Sequence, residues 1–189
     1  SWGFSRLSIT FDMAPELTVV ESAELNWSNT QTYDAGGSEG VANGFWGGDV
    51  PSVSTTVPVP AGASTAVLRL RYWAIDSWDG GETARVAVDG EAVWEMDRAD
   101  AHTCGAFTPY TGDADIPDPW AGHDNHECFF DVEQRIDVTG RSSFELEVSS
   151  EIDQDAGDES WGFSRLSITF DVAPELTVVE SAELNWSNT

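Results

Sequence analysis

The sequence predicts an all-β protein, an antiparallel β-sandwich of jelly-roll type with long loops rich in glycine and aspartate. Apolar residues recur at every second position in most of its apolar segments, which is the period of a half-buried strand. Short turn sequences bound these segments, and no stretch of about twelve residues carries the apolar stripe of a capped helix. Strands joined by such loops are typical of sandwiches and jelly rolls.

The predicted strands follow from this alternation. The alternating residues, in chain order, are Leu7, Ile9 and Phe11; Leu68, Leu70 and Tyr72; Val86 and Val88; and Phe144, Leu146 and Val148. Asp89-Gly90 lies between two apolar stretches and predicts a tight hairpin, because both central residues of a type I′ turn need a positive φ. Residues 137–143 (DVTGRSS) predict a second hairpin turn.

Two segments are predicted to be loops. Residues 34–49 are too rich in glycine to favour a strand ladder, and residues 100–127 form a long stretch with three prolines and three histidines. Loops longer than about 15 residues within a compact domain are usually functional or held by a covalent link.

The opening segment has a change of parity. Trp2 and Phe4 share one parity, and the apolar residues from Leu7 onward share the other. Either a β-bulge near residues 3–6 brings all of them to one face, or Trp2 and Phe4 belong to a loop.

Residues 1–30 recur at 160–189 with a single difference, Met13 against Val172. The spacing equals the size of a domain rather than of a short solenoid repeat. We therefore predict one complete module at residues 16–174, preceded by the closing strand of another copy at 1–15 and followed by the opening strand of the next at 175–189. An artificial duplication is the alternative, although the Met-to-Val change is what two diverged copies would show.

The chain is strongly acidic, with a net charge of −26, eight basic residues that are all arginine, and nine tryptophans. The aromatic residues supply the apolar area for a core, and the charge favours bound cations or a saline surrounding that screens repulsion. A nucleic-acid partner is not expected, since binding phosphates needs a basic face. Apolar runs of about 20 residues, the length of a membrane span, do not occur.

Cys104 and Cys128 are the two cysteines. The preferred interpretation is a disulfide, which indicates an oxidising, extracellular compartment. Zinc binding with His102, His123 and His126 is a second interpretation, although the spacing matches no standard zinc motif. Two free thiols are the third.

Two acidic loops are candidate calcium sites, because calcium is bound by carboxylate and carbonyl oxygens on loops. Residues 149–160 hold the first group, in which Asp153-Gln154-Asp155 has the alternating spacing of calcium loops, and residues 75–82 hold the second. The alternative is that acidic loops in so acidic a chain are simply solvated.

Two segments, LRYWAIDSWDGGETARVAVDG and FELEVSSEIDQDAGDESWGFSRLSI, resemble a family of β-sandwich, jelly-roll-like repeat modules of large secreted or surface proteins in algae, ciliates and some bacteria. The resemblance covers roughly residues 66–94 and 144–172. It implies that Trp78 and Trp161 are packing anchors. The carboxylates on matching motif positions are Asp76, Asp79, Asp153, Asp158 and Glu159.

The sequence departs from that family pattern in two places. Gly81 adds a residue before Glu82, which puts this carboxylate in doubt as a ligand. Phe163-Ser164-Arg165 replaces the more usual Ile-Asp-Asn. With both loops considered, the predicted calcium ligands are Asp76, Asp79, Asp153, Asp155, Asp158 and Glu159.

The preferred function is structural: an extracellular module linked in series with copies of itself, by tandem repetition or strand complementation, in a filament, sheath or surface appendage. The alternative is a carbohydrate-binding module with Trp46 and Trp120 as sugar-stacking residues. An enzyme is not expected, because no catalytic motif stands out among the many carboxylates. The tripeptides at Asn26 and Asn185 are weak acceptor patterns for N-glycosylation.

Overall fold

The computed structural model describes residues 16–76, 78–97, 104–111 and 127–173. Within them the chain forms strands and one short 3₁₀ turn, Ser22–Glu24. No helix among these residues has the length and apolar character of a membrane span. The strands are β1 (Glu16–Glu21), β2 (Thr32–Gly36), β3 (Gly40–Trp46), β4 (Ser52–Pro58), β5 (Ala63–Asp76), β6 (Thr83–Val88), β7 (Glu91–Asp97), β8 (Thr108–Pro109), β9 (Glu127–Asp137), β10 (Ser143–Ser150) and β11 (Glu159–Val172).

These strands form two antiparallel sheets, which confirms the predicted β-sandwich of jelly-roll type. The larger sheet has the order β2-β3-β11-β5-β9-β8, and β1 also pairs with β11. The smaller sheet has the order β4-β10-β6-β7. One edge of β11 pairs with β5 along its length, and the other pairs first with β3 and then with β1.

The core lies between the two sheets and contains the residues that alternate in the sequence. Leu68, Leu70 and Tyr72 on β5 are at most 3% exposed, and the predicted apolar residues of β6 and β10 are also buried there. A smaller apolar cluster around Trp73 covers part of the opposite face of the larger sheet. The period-two pattern therefore identified the core face of these strands.

One predicted hairpin is present and the other is wrong. Asp89 and Gly90 have φ values of 49° and 82° and join β6 to β7 as predicted. Residues 137–143 do contain a turn, in which Arg141 N–H donates to the Val138 carbonyl. However, they lead from β9 in the larger sheet to β10 in the smaller one. Val138 is fully buried at this crossing, so the chain passes over the edge of the core instead of folding back.

The prediction that residues 34–49 are a loop is wrong, because β2 and β3 form a hairpin there. Gly36 and Gly40 have φ values of 62° and 64°, so glycine permits the tight turn between the strands. Gly44 serves another purpose: a Cβ on it would lie 2.9 Å from the Gly162 Cα. The glycines thus make the turn and the close approach of β3 to β11 possible.

The repeated strand contains a bulge. The first copy, residues 1–12, lies outside the described residues, but the second copy in β11 shows a register shift between Ser164 and Ser167, with Arg165 at a φ of 54°. The apolar residues before and after the shift all face the core: Trp161, Phe163, Leu166, Ile168 and Phe170. For this copy the bulge interpretation is therefore correct.

A buried ion pair fixes the β2–β3 turn to the bulge. The Glu39 side chain has no exposed surface and lies 2.7 Å from both Arg71 and Arg165. It also accepts a hydrogen bond of 2.9 Å from the Ser164 hydroxyl. Because two arginines share this carboxylate, either arginine alone still compensates its charge, whereas losing both would leave the buried carboxylate unpaired, which typically costs about 3–5 kcal/mol.

Strand β1 places residue 16 beside the end of β11. Its register pairs Glu16 with Val172 and Glu21 with Ser167. The predicted flanking segments 1–15 and 175–189 lie outside the described residues, so the module limits of 16–174 stay a prediction. The pairing nevertheless brings the first and last described parts of the chain together.

Cys104 and Cys128 form the predicted disulfide, which excludes zinc binding and free thiols for these two residues. His102, His123 and His126 lie outside the described residues. Cys128 is on β9 opposite Ala74 of β5, so the bond attaches the segment 104–111 to the larger sheet.

We expect replacement of both Cys104 and Cys128 by alanine to lower the free energy of unfolding by about 3 kcal/mol, because the bond closes a loop of moderate length. Urea denaturation of the oxidised variant and wild-type chains measures this difference. An equal loss on adding reductant to wild type is the matching control. If neither treatment changes the midpoint, the segment 104–111 does not depend on the bond.

Candidate metal centre

The site begins where β5 ends and β11 starts. Asp76 is the last residue of β5 and pairs directly with Glu159, the first residue of β11. Their side chains are buried, at 2% and 0% exposure. Two acidic residues at paired positions of adjacent strands therefore enter the protein interior together.

The turn after β5 brings in a third carboxylate. Glu82 accepts a hydrogen bond from the Asp79 backbone N–H, and its own N–H donates to the Asp79 carbonyl at 3.2 Å. Gly81 has a φ of 103°, which glycine adopts without strain. Trp78 is fully buried and donates from Nε1 to the Ser160 carbonyl at 3.1 Å, so the turn is held against β11.

The structure thus brings Glu82 to the other carboxylates in spite of the additional Gly81. The extra glycine produces the turn that directs this side chain inward, where it is 7% exposed. The sequence does contain a signal for this position of Glu82. Asp79 precedes it by three residues, a spacing at which the two residues can hydrogen-bond to each other across a turn.

The loop between β10 and β11 supplies the fourth carboxylate. Asp153 is exposed and its N–H donates to Glu82 Oε1 at 3.4 Å, while the neighbouring Ile152 is buried. The Gly48 N–H donates to the Gln154 carbonyl at 2.7 Å. A Cβ on Gly48 would lie 2.5 Å from the Ile152 carbonyl oxygen, so this close approach requires glycine.

Three carboxylates converge tightly. One oxygen from each of Glu82, Asp153 and Glu159 lies within 4.8 Å of the others. Oxygens bound to one calcium ion at about 2.3–2.6 Å can be at most about 5 Å apart. The described residues therefore fit a single cation of this size.

Both Glu159 carboxylate oxygens are buried and, within the described residues, accept no hydrogen bond from a backbone N–H or a neutral side chain. Their side-chain partner is the Glu82 carboxyl group, and a hydrogen bond between two carboxyl groups requires a proton. In that part of the chain, none of the ion pairs involves Glu82, Asp153 or Glu159. A buried carboxylate without a donor or counter-charge is costly, so the cluster needs a proton or a cation.

The electrostatics agree with this conclusion. Burial, together with the neighbouring Glu82 carboxylate, raises the pKa of Glu159 to about 8. Burial also raises the pKa of Glu82, against hydrogen bonds that lower it. A divalent cation would remove the repulsion between these groups that a single proton only reduces.

The other predicted ligands are not among these three converging carboxylates. Asp79 is exposed on the turn next to Glu82. Asp155 Oδ1 instead accepts the Gly157 N–H at 2.8 Å, and the Asp155 carbonyl accepts the Asp158 N–H at 2.9 Å. Of the two alternating aspartates, Asp153 therefore belongs to the carboxylate cluster, whereas Asp155 stabilises the turn of its own loop.

The sugar-stacking prediction is wrong for Trp46. This side chain is 2% exposed and packs on Trp161, with ring centroids 4.8 Å apart, so it belongs to the core. Trp120 and the glycosylation candidate Asn185 lie outside the described residues. Asn26, the other candidate, is exposed.

A separate groove of about 250 Å³ lies beside the 3₁₀ turn. Asn43 and Trp27 meet in it, and both donate a hydrogen bond to the Ser22 hydroxyl. The described residues that line it are uncharged: Ser22, Ala23, Leu25, Asn26, Trp27, Thr30, Thr32 and Asn43. In a chain with 34 acidic residues such a surface is unusual.

Comparison with protein-family models and with curated proteins found no match. Solved structures with a similar fold include a CBM36-1 domain of a multidomain xylanase from the hindgut metagenome of Trinervitermes trinervoides, at 12% identity and a TM-score of 0.41, covering 85% of this chain and 100% of that one. A family 35 carbohydrate-binding module from Clostridium thermocellum has 11% identity and a TM-score of 0.37, with coverages of 81% and 97%. A CBM36 module in complex with calcium and xylotriose has 13% identity and a TM-score of 0.38, with coverages of 82% and 99%. These likenesses concern the fold and assign no ligand to this chain.

We expect Gly48→Ala to displace the loop 151–158 and lower stability by about 1–3 kcal/mol, the usual cost of overpacking. Gly157→Ala in the same loop is the matched control, because its Cβ would meet only the Asp155 carboxylate, at 3.0 Å. Thermal melting and limited proteolysis of the loop measure both effects. Equal behaviour of the two variants would show that the Gly48 contact does not position the loop.

Proposed function

We propose that this chain is a calcium-stabilised β-sandwich module of an extracellular protein, linked in series with copies of itself. The observation that carries the calcium assignment is Glu159, a fully buried carboxylate that lies beside the carboxylates of Glu82 and Asp153 and forms no ion pair within the described residues. Calcium prefers such carboxylate oxygens and accepts irregular geometry, whereas magnesium demands a near-ideal octahedron.

The ion would connect both sheets at one end of the sandwich. Glu82 immediately precedes β6 of the smaller sheet, and Glu159 begins β11 of the larger one. Asp153 lies in the loop that crosses from β10 to β11. Bound calcium would neutralise part of the local negative charge and hold these three segments in one arrangement.

The pairing of β1 with β11 supports linkage in series. Because Glu16 lies beside Val172, a preceding and a following copy would both attach at the same end of the module. The carboxylate cluster lies at the other end of β11, roughly 40 Å away for a strand of this length at about 3.3 Å per residue. Calcium would therefore stiffen the module without taking part in the link.

The disulfide supports the extracellular assignment, since such bonds persist in oxidising compartments. A filament, sheath or surface appendage suits near-identical copies, because identical units present identical interfaces. The resemblance to repeat modules of secreted and surface proteins agrees with this proposal.

Carbohydrate binding is the second candidate function, and the uncharged groove beside the 3₁₀ turn favours it. Hydroxyl and amide groups next to a tryptophan suit a neutral, polyhydroxylated ligand. The predicted stacking residue Trp46 is not part of this groove, and Trp120 lies outside the described residues. The CBM36 module bound to xylotriose makes xylan a reasonable first ligand to test.

We expect EDTA to lower the melting temperature by about 5–10 °C and added calcium to restore it. Saturating calcium contributes about 2.7 kcal/mol at a hundredfold excess over Kd, and each kcal/mol shifts the melting temperature of a chain this size by about 2–4 °C. Differential scanning calorimetry at fixed ionic strength measures the shift. Magnesium at equal concentration should restore less.

Glu159→Gln should abolish this calcium-dependent increment without lowering the calcium-free melting temperature, since it replaces a buried carboxylate by a neutral group of the same shape. Asp155→Asn is the matched control: it removes a charge from the neighbouring loop and should retain the increment. An EDTA-insensitive wild-type melt, or equal losses in the two variants, contradicts the calcium assignment.

For carbohydrate binding, we expect neutral polysaccharides to retard the protein in affinity gels and Thr32→Arg to abolish retardation by filling the groove. Thr56→Arg, at an exposed position on β4, adds the same charge elsewhere and should bind normally. Migration unaffected by xylan, β-glucan and galactan, or equal effects of both variants, contradicts this second function.

A further inference from the structure

We propose that the β1 position beside β11 is a strand-exchange site, in which residues 175–180 of one copy of this chain replace residues 16–21 of another. This inference rests on the proposed linkage in series and names the contact that would make it. The partner is a second copy of the same chain.

The two segments have the same sequence, Glu-Leu-Thr-Val-Val-Glu. Every backbone and side-chain contact that β1 makes with β11 is therefore available to residues 175–180 of another copy. The register pairs Val20 with Ile168 on the core side and Val19 with Thr169 on the outer side. Val20 packs against the core, so the position has a defined apolar requirement that both segments meet.

Strand β1 is also weakly covered. It has six residues and pairs only with β11 among the described strands. Leu17 and Val19 are 65% and 51% exposed on its outer face. A short strand at a sheet edge is the kind of element that another chain can replace by strand addition.

The chain connection disfavours the simplest competing arrangement, in which residues 175–180 fold back on their own β11. Only Ala173 and Pro174 separate them from Val172. A two-residue hairpin needs a positive φ at its first central residue, and in the type I′ form at both. Proline fixes φ near −65°, and a positive φ strains alanine. The chain connection therefore favours a neighbouring copy as the acceptor of the duplicate segment.

If each chain donates its 175–180 segment to the next chain, the assembly does not close into a ring. Such an exchange generates an open head-to-tail series. The chain's own β1 competes at a high effective concentration. Emptying that position in an acceptor chain should therefore promote the exchange.

The test mixes two variants of the 189-residue chain in the presence of calcium. The acceptor carries Thr169→Cys together with Val20→Asp, which places a charge against the core and should empty the β1 position. The donor carries Val178→Cys, which occupies the position of Val19 and would lie opposite residue 169. Mild oxidation should give a mixed disulfide-linked dimer on a non-reducing gel, confirmed by intact mass.

Thr177→Cys in the donor is the register control. Residue 177 would face the core side, away from residue 169, so this donor should not form the cross-link. Val179→Asp in an otherwise wild-type chain should lose concentration-dependent self-association in sedimentation velocity while keeping its melting temperature. If Val20→Asp prevents folding, the Val179→Asp variant still tests the exchange, because its β1 strand is unchanged. Equal cross-linking of the two donors, or self-association unchanged by Val179→Asp, overturns the proposal.

Failure of the exchange is distinguishable from failure of the calcium assignment. The carboxylate cluster lies at the opposite end of β11, so Glu159→Gln chains should exchange strands as wild type does. Loss of the calcium-dependent melting shift with exchange intact would overturn only the metal site. Normal calcium dependence without exchange would overturn only the strand site.

Discussion

Side chains alternate between the two faces of a strand, so Trp161, Phe163 and Leu166 can share one face only if the strand contains an extra residue, a β-bulge. In β11 this bulge lies at Arg165. Most of the structure depends on this bulge. It allows β11 to fill the core along its whole length while pairing with β5, β3 and β1. The buried Glu39 carboxylate then neutralises the arginine that the bulge directs outward.

The two ends of β11 have different chemistry. Its first residue, Glu159, enters apolar surroundings beside other carboxylates, and the disulfide attaches its segment to the larger sheet near the same end of β5. Its last residue, Val172, lies beside Glu16. Stabilisation of loops is thus concentrated at one end, and the repeated sequences meet at the other.

Local patterns predicted the elements whose environment is simple. Strands with one face in the core show alternation, as in Phe144, Leu146 and Val148, and Asp89-Gly90 has the dihedral angles of its turn type. The same reasoning failed for β2 and β3, because Gly44 is needed for the approach of β11 and does not mark a loop. It also failed at Val138, where a turn leads into the other sheet.

The sequence by itself determined the fold class, the repeated segments and the abundance of carboxylates, since these depend on residue type and local spacing. It favoured a disulfide over zinc binding or free thiols, and the structure contains that bond. Only the tertiary structure decided which carboxylates meet. Asp155 binds its own loop, whereas Glu82 joins Asp153 and Glu159. That choice depends on pairing between strands distant in sequence and on a positive φ at Gly81, because neither leaves a periodic signal in the chain.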